Sequence, residues 1–365
     1  MLGVYVHIPF CERKCNYCAF SSFTDFSEKE RYISSLCDEI ENFEQKGKSI
    51  DTLYIGGGTP SVLSEGEIEK IFSSLNTTFK IEKDCEISIE CNPNSLTREK
   101  LECYKKLGIN RLSIGVQSLN DKQLKFAGRL HSADEALEKI SLAKEMGFEN
   151  ISVDLMIGFP FSSDDEFLNN AEKLLKKDIK HISIYMLQVE DNTKLKEIVQ
   201  HNPELLIDDD RMAEMASKMA IFLKKNGFFH YEVSNYALKG FESKHNFKYW
   251  TGEEYVGFGL SAHSFLKGVR YANSNSFEGY YQRKIASYEV LTEDQKIEEH
   301  IMLGLRCYYG IDKTYLKSLG YNIEESVYYS DYVKKNIIIE NKNKVFLNEE
   351  YYFVNNFIIV SLLPQ

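Results

Sequence analysis

Cys11, Cys15 and Cys18 lie within eight residues in the stretch HIPFCERKCNYCAF, His7–Phe20, with no fourth cysteine nearby. A closed zinc site takes four ligands, and a ferredoxin-type iron–sulfur cluster also takes four cysteines. Three thiolates leave one metal position open, where a ligand or substrate can bind. A zinc site completed by a remote fourth ligand is the structural alternative. The stretch GGGTP, Gly56–Pro60, lacks side chains where a backbone must approach a ligand closely, and Pro60 stiffens its exit. Arg129 suits a carboxylate fork, and Glu90 and Asp154 can accept from an ammonium or a ribose hydroxyl. Singly, each of these three could equally serve in a structural salt bridge.

The elements that must position them alternate. Short β-branched or apolar runs at Val4–Ile8, Thr52–Ile55, Glu86–Glu90, Arg111–Gly115, Ile151–Met156 and His181–Met186 read as strands. Between them lie amphipathic helices. Ser27/Glu30, Ser64/Glu67, Ser132/Glu135 and Ser163/Glu166 have the spacing of a capping box, and Gly108, Gly147 and Gly227 stand where left-handed helix ends are expected. Six strands alternating with helices predict an α/β fold, a partial (β/α)6 TIM-type barrel or open sheet, with ligands at the carboxyl ends of the strands. The cysteines, the glycine turn, Glu90, Gln117 and Asp154 all fall at or near such ends.

Past Met186 the repeat fades into a helix around Asp210–Asn226 and a strand at His230–Asn235. Past Leu291, helices near Thr292–Cys307 and Lys313–Leu319 precede a hairpin, IIIENKNKVFLNEE, turning at Asn341–Asn343. We therefore expect two units, 1–290 and 291–365, the second small, helical and winged-helix-like. Residues 291–365 carry 8 Lys/Arg against 11 Asp/Glu, a net of −3, which argues against DNA binding. The whole chain has 365 residues and a net charge of −11, which disfavours a general phosphate-binding surface, so no nucleic-acid partner is expected. Eight cysteines in this length do not form a disulfide scaffold, and Cys37, Cys85, Cys91, Cys103 and Cys307 read as free thiols in the interior. Thiolate metal chemistry implies a reducing compartment. No secretory signal is visible, and the apolar run Phe357–Leu363 is too short to span a bilayer. A cytoplasmic protein is expected, touching a membrane only through a partner.

The C-x3-C-x2-C loop after the first strand resembles the radical S-adenosylmethionine superfamily. That resemblance implies a [4Fe–4S] cluster on Cys11, Cys15 and Cys18. Its open iron would take the amino and carboxylate groups of S-adenosylmethionine, and its electron would break a carbon–sulfur bond of that cofactor. The glycine turn matches the one that grips the methionine amino group, and Tyr17 the aromatic near the adenine. Further along, YVHIPFCERKCNYCAF, GGGTPS, EISIECNP, RLSIGVQS, GRLHS, ISVDLMIGFP and EYVGFGLSAHS resemble, in order, the oxygen-independent coproporphyrinogen III oxidase-like family. By this resemblance Tyr5, Gly57 and Glu90 join the cysteines at the first S-adenosylmethionine site. Gly58, Thr59, Gln117, Arg129 and Asp154 match further ligand-contacting positions, and His263 lies where the family has a residue near a second ligand.

Two branches of that family differ in function. The oxidases carry a further cysteine two residues after the third cluster cysteine, where this chain has Phe20. They also carry an N-terminal extension, whereas Met1–Gly3 alone precede the first expected strand here. Both departures resemble the haem-chaperone branch, as does HNFKYW, His245–Trp250, which holds the single tryptophan of the chain. In that branch His245 is the expected haem ligand, with Phe247, Tyr249 and Trp250 as an apolar wall. From the residues alone the segment is more readily a buried aromatic corner around a hydrogen-bonded histidine. The resemblance implies haem as cargo, acceptor haemoproteins such as membrane respiratory cytochromes, a reductant protein and a homodimer. A working radical oxidase that decarboxylates coproporphyrinogen III is the alternative, and radical group transfer on another tetrapyrrole a third.

Overall fold

Alternate positions carry aliphatic side chains in six runs, and these pair in chain order as parallel neighbours. The computed structural model, which describes residues 1–364, places them as β1 (Leu2–Ile8), β2 (Ser49–Gly57), β3 (Lys80–Cys91), β4 (Arg111–Gln117), β5 (Asn150–Ile157) and β6 (His181–Met186). One set of alternating residues (Val4 and Val6, Leu53 and Ile55, Ile87 and Ile89, Leu112 and Ile114, Ile182 and Ile184) enters the main hydrophobic cluster with the flanking helices. The other set is polar. Tyr5, Tyr54, Ser88 and Arg111 stand in register at one level, and Glu90 pairs with Ser113 one step nearer the carboxyl ends. A barrel interior is ordinarily filled by branched apolar residues; here one face of the six strands is lined with hydrogen-bonding groups.

The sheet does not stop at six strands. A hairpin, β7 (Phe229–Glu232) and β8 (Asn235–Ala237), adds to β6, where a single strand at His230–Asn235 was expected. Ser234 breaks that run by donating its N–H to Glu232 Oε2, 3.2 Å away. On the other side β9 (Tyr255–Phe258) lies parallel to β1, followed by β10 (His263–Leu266), β11 (Val269–Asn273) and β12 (Ile285–Val290), giving twelve strands among the described residues. The six parallel strands are thus the centre of an open, extended sheet.

Helix starts follow their side chains. Ser64 and Glu67 form a complete capping box, and the Ser132 and Ser163 hydroxyls accept from the N–H groups of Glu135 and Glu166. Ser27 does not cap: the helix begins at Lys29, and the Ser27 N–H is held by Asp25 Oδ1 at 2.9 Å. Gly108, Gly147 and Gly227 have φ of 82°, 81° and 85°, the left-handed ends anticipated for them.

A second hydrophobic cluster runs from Ile297 to Leu362. Its elements follow the order helix Glu293–Gly304, β13 (Ile311–Asp312), helices Lys313–Ser318 and Tyr329–Lys334, then β14 (Ile338–Glu340) and β15 (Lys344–Leu347). The strands pair as β13-β15-β14, the arrangement of a winged helix.

Candidate active site

The carboxyl ends of β1–β6 surround a cavity of about 400 Å³. Cys11, Cys15, Cys18 and Tyr17 line it from the loop after β1, and Gly57, Gly58 and Thr59 from the turn after β2. Glu90, Gln117, Arg129 and Asp154 complete its floor and wall. Eleven of the thirteen site residues read from the sequence therefore meet in one place.

Backbone bonds fix the cysteine loop at both ends. The Cys11 N–H donates to Phe23 O (3.0 Å), the Asn16 N–H to Ala127 O (2.9 Å) and the Cys18 N–H to Cys15 O (3.2 Å). The glycine turn packs beneath it. Gly58 and Thr59 donate their N–H groups to Ile8 O and Phe10 O, both at 2.8 Å. A methyl at Gly58 would fall 2.7 Å from Phe10 O and 3.0 Å from Cys11 Sγ; one at Gly57, with φ 115°, would fall 2.6 Å from the His7 ring. Both glycines are thus required by the protein's own packing, whatever ligand their backbone also meets. His7 reinforces the join: its Nε2–H donates to Ser21 O at 3.0 Å, its Nδ1 accepts from the Tyr5 hydroxyl at 3.0 Å, and burial lowers its pKa to about 4.

Arg129 is the buried cation of the site. Its Nη2 donates to Asn92 Oδ1 (2.6 Å) and Gly115 O (2.5 Å), and its Nη1 lies 3.5 Å from Cys15 Sγ. The Arg129–Asn92 pair was not expected; Asn92, in the family-like run EISIECNP, also donates to Thr59 Oγ1 at 3.0 Å. Glu90 accepts from the Tyr54 hydroxyl (2.9 Å) and the Gly57 N–H (3.0 Å). Burial, opposed by Tyr54 and reinforced by the neighbouring charge of Asp154, raises its pKa to about 7. Burial raises Asp154 as well. Two half-buried carboxylates whose charges act on one another would favour a cation such as an ammonium at the floor of the cavity. Gln117 holds φ 66° at the end of β4, a strained conformation for a non-glycine residue at the rim.

All three thiols line the cavity. Among the described residues, no three His, Cys, Asp or Glu side chains converge on a single-ion site. A cubane cluster takes each thiolate on a different iron, so three cysteines would hold it with one iron left open.

Two predicted residues stand elsewhere. Tyr5 does not line the cavity; its hydroxyl is used by His7, and its ring stacks on Tyr54. His245 begins the helix Lys244–Thr251, which lies against the start of β2, and the residue is 1% exposed. Its Nδ1 pairs with Thr52 Oγ1 and its Nε2 with Tyr249 Oη, both at 2.9 Å, and its ring stacks on Tyr54 at 5.3 Å. Burial lowers its pKa to about 3. In this arrangement both His245 ring nitrogens are paired within the protein. Ser113, Met156, Tyr185, Gln188 and Glu190 also line the cavity and were not singled out; only their place at strand ends could have flagged them.

Residues 5–174 match the model of the radical SAM superfamily. The chain is 37% identical to the haem chaperone HemW of Lactococcus lactis subsp. lactis, over 85% of this chain and 82% of that protein. It is 35% identical to HemW of Bacillus subtilis over the full length of both. Among solved structures, the coproporphyrinogen III oxidase HemN of Escherichia coli superposes with a TM-score of 0.85 at 20% identity, covering 99% of this chain and 89% of that one. The parallel strands, the three-cysteine loop and the glycine turn define a radical S-adenosylmethionine protein. Within that class, the chain belongs to the HemW family of haem chaperones.

Proposed function

We propose that this chain binds haem and passes it to acceptor haemoproteins, carrying a [4Fe–4S] cluster on Cys11, Cys15 and Cys18 with S-adenosylmethionine beside it. The observation that carries the reading is similarity to haem chaperones along the whole chain, at 35–37% identity, against 20% to the oxidase of the same fold. In this reading Glu90, held by Tyr54 and Gly57, takes the methionine ammonium. Arg129 holds the wall beside Cys15, and Tyr17 and Gln117 bound the remainder of the ligand. The cluster and S-adenosylmethionine supply one-electron chemistry when bound; the residues of this chain position, enclose and shield them.

Several finer points belong to the same proposal. The chain divides at 290/291, a division supported by the separate apolar cluster of the C-terminal segment. It works in the cytoplasm, and no helix among the described residues is long and apolar enough to cross a membrane. Its acceptors include membrane respiratory cytochromes, a reductant protein serves the cluster, and two copies associate during transfer. An anaerobic assay tests the core of it: reconstitute the cluster, titrate haem, and incubate with coproporphyrinogen III, S-adenosylmethionine and a reductant. A Soret band saturating at one haem per chain, with no vinyl-bearing product, is expected. Formation of protoporphyrinogen would make the chain an oxidase that works with Phe20 in place of the extra cysteine.

A further inference from the structure

A cysteine that ligates a metal does so as a thiolate, which can only accept hydrogen bonds. Cys11 and Cys15 each meet a side-chain donor. Thr59 Oγ1 lies 3.4 Å from Cys11 Sγ, and Arg129 Nη1 lies 3.5 Å from Cys15 Sγ. The two donors come from different loops, one after β2 and one after the helix Asp121–Ala127 that follows β4. A single residue joins them. Asn92, in the turn after β3, donates its Nδ2–H to Thr59 Oγ1 at 3.0 Å and accepts from Arg129 Nη2 on its Oδ1 at 2.6 Å.

Chemistry fixes the direction of this relay. A guanidinium has donors only, so the Asn92 atom that faces it is the oxygen, and the atom that faces Thr59 is the amide nitrogen. Thr59 Oγ1 therefore accepts from Asn92, and its own hydrogen is left for Cys11 Sγ. Asn92 is itself held in place. Its backbone N–H donates to Ser61 Oγ at 3.0 Å, and its carbonyl accepts from the Ser95 hydroxyl at 3.1 Å. Ser61 and Ser95 share a hydrogen bond of 2.6 Å. The backbone of β4 leaves room for the pair: a methyl at Gly115 would fall 3.2 Å from Arg129 Nη2 and 3.3 Å from Asn92 Oδ1. Asn92, Thr59 and Arg129 all line the cavity that the cysteines line.

We propose, resting on the [4Fe–4S] assignment above, that Asn92 is a positioning residue for the cluster and its ligand. It sets the Thr59 hydroxyl on Cys11 and the Arg129 guanidinium on Cys15, and it holds Arg129 at the wall beside S-adenosylmethionine. Hydrogen bonds to ligating sulfurs help set the potential of an iron–sulfur cluster. Donors favour the more negative, reduced form, so the intact relay raises the potential.

The test reconstitutes the cluster anaerobically in the full-length protein and in Asn92→Ala, Asn92→Asp, Thr59→Val and Asn94→Ala variants. It reads iron content, the midpoint potential of the cluster and the affinity for S-adenosylmethionine, with circular dichroism as the check of folding. Asn92→Ala is expected to move the potential negative and to weaken binding at least about tenfold, the scale of outer-shell losses at metal sites. Asn92→Asp keeps an acceptor for Arg129 and should recover most of the affinity. Thr59→Val removes only the hydroxyl and should move the potential in the same negative direction. Asn94, in the same turn, bonds Glu12 at 2.6 Å instead, so Asn94→Ala should match the parent in all three readings. An Asn92→Ala protein with the parent's potential and affinity overturns the assignment and leaves the cluster standing. So does an Asn92→Asp protein as impaired as Asn92→Ala, which would make the role one of packing alone. Where Asn92→Ala does not fold, Thr59→Val decides, and an unmoved potential overturns the relay. If the parent itself takes up no iron, the cluster reading falls and this assignment with it.

Discussion

In the proposed reading, Glu90 is the residue on which ligand binding at the cavity floor turns. Its pKa stands near 7 because burial penalises the carboxylate, with Tyr54 and Gly57 compensating only in part. A bound ammonium would need the charged form. Below pH 7 the site holds a neutral acid, and above it a carboxylate, so affinity for S-adenosylmethionine should rise as pH goes from 6 to 7. A calorimetric titration at the two pH values should show the parent tightening several-fold and Glu90→Gln weaker and flat. A parent that binds equally well at both would place the ammonium elsewhere. Much of this was legible beforehand: Glu90, Asp154, Gln117 and the glycine turn were readable because strand ends gather ligands in this architecture. The partnership of Arg129 with Asn92 was not, since the two lie 37 residues apart and meet only through the sheet. The surroundings of His245 were not legible either. A histidine among aromatic residues looks the same in sequence whatever it faces, and its pairing with Thr52 and Tyr249 appears only in the fold.

At the scale of elements, the helix Lys244–Thr251 is secured at its N-terminus by a carboxylate from the sheet. Glu86 accepts the Lys244 and His245 N–H groups, both at 3.1 Å, and Ser243 caps Asn246. Glu86 is also the leading acidic charge acting on Arg111, which is 1% exposed and leaves Nε and Nη1 without a hydrogen-bond partner. Removing Glu86 withdraws the helix cap and a buried counter-charge together. Glu86→Ala should therefore cost about 3 kcal/mol or more. Chemical denaturation followed by far-ultraviolet circular dichroism measures it, and Glu86→Gln, which keeps an acceptor without the charge, should fall between. A loss under about 1 kcal/mol would mean Arg111 is neutralised by other groups. The six parallel strands were readable from runs such as EISIE and RLSIG, in which every second residue is aliphatic. β9–β12 were missed because they are four to six residues long and rich in tyrosine, serine and charge, as suits short strands toward a sheet margin. In β12 every residue is exposed, so burial leaves no alternation to read.

For the whole molecule, the two ends of the twelve-stranded sheet are treated differently. β12 ends the sheet in solvent, whereas the β7 end is covered by the C-terminal segment. The Val233 N–H donates to Arg306 O at 3.0 Å, the Tyr308 N–H donates to Tyr231 O at 2.9 Å, and Glu232 bridges to Cys307. Tyr308 also packs on Phe247 of the HNFKYW helix at 5.3 Å, and Tyr352 on His230 at 4.8 Å. The appended unit therefore does more than add mass: it completes an edge and covers an aromatic face. A chain cut after Val290 would expose unpaired backbone on β7 and bare Phe247 and His230, the combination that templates aggregation. We expect such a fragment to elute as large aggregates in size-exclusion chromatography with light scattering, and to melt earlier than the full chain. The double variant Phe247→Ser/Tyr308→Ser, in the full chain, should weaken the contact and lower the melting temperature while the protein stays monodisperse, because the edge remains paired. A monodisperse fragment with the melting temperature of the full chain would show that the parallel strands stabilise themselves, and the role of residues 291–365 would then have to be sought in transfer to the acceptor.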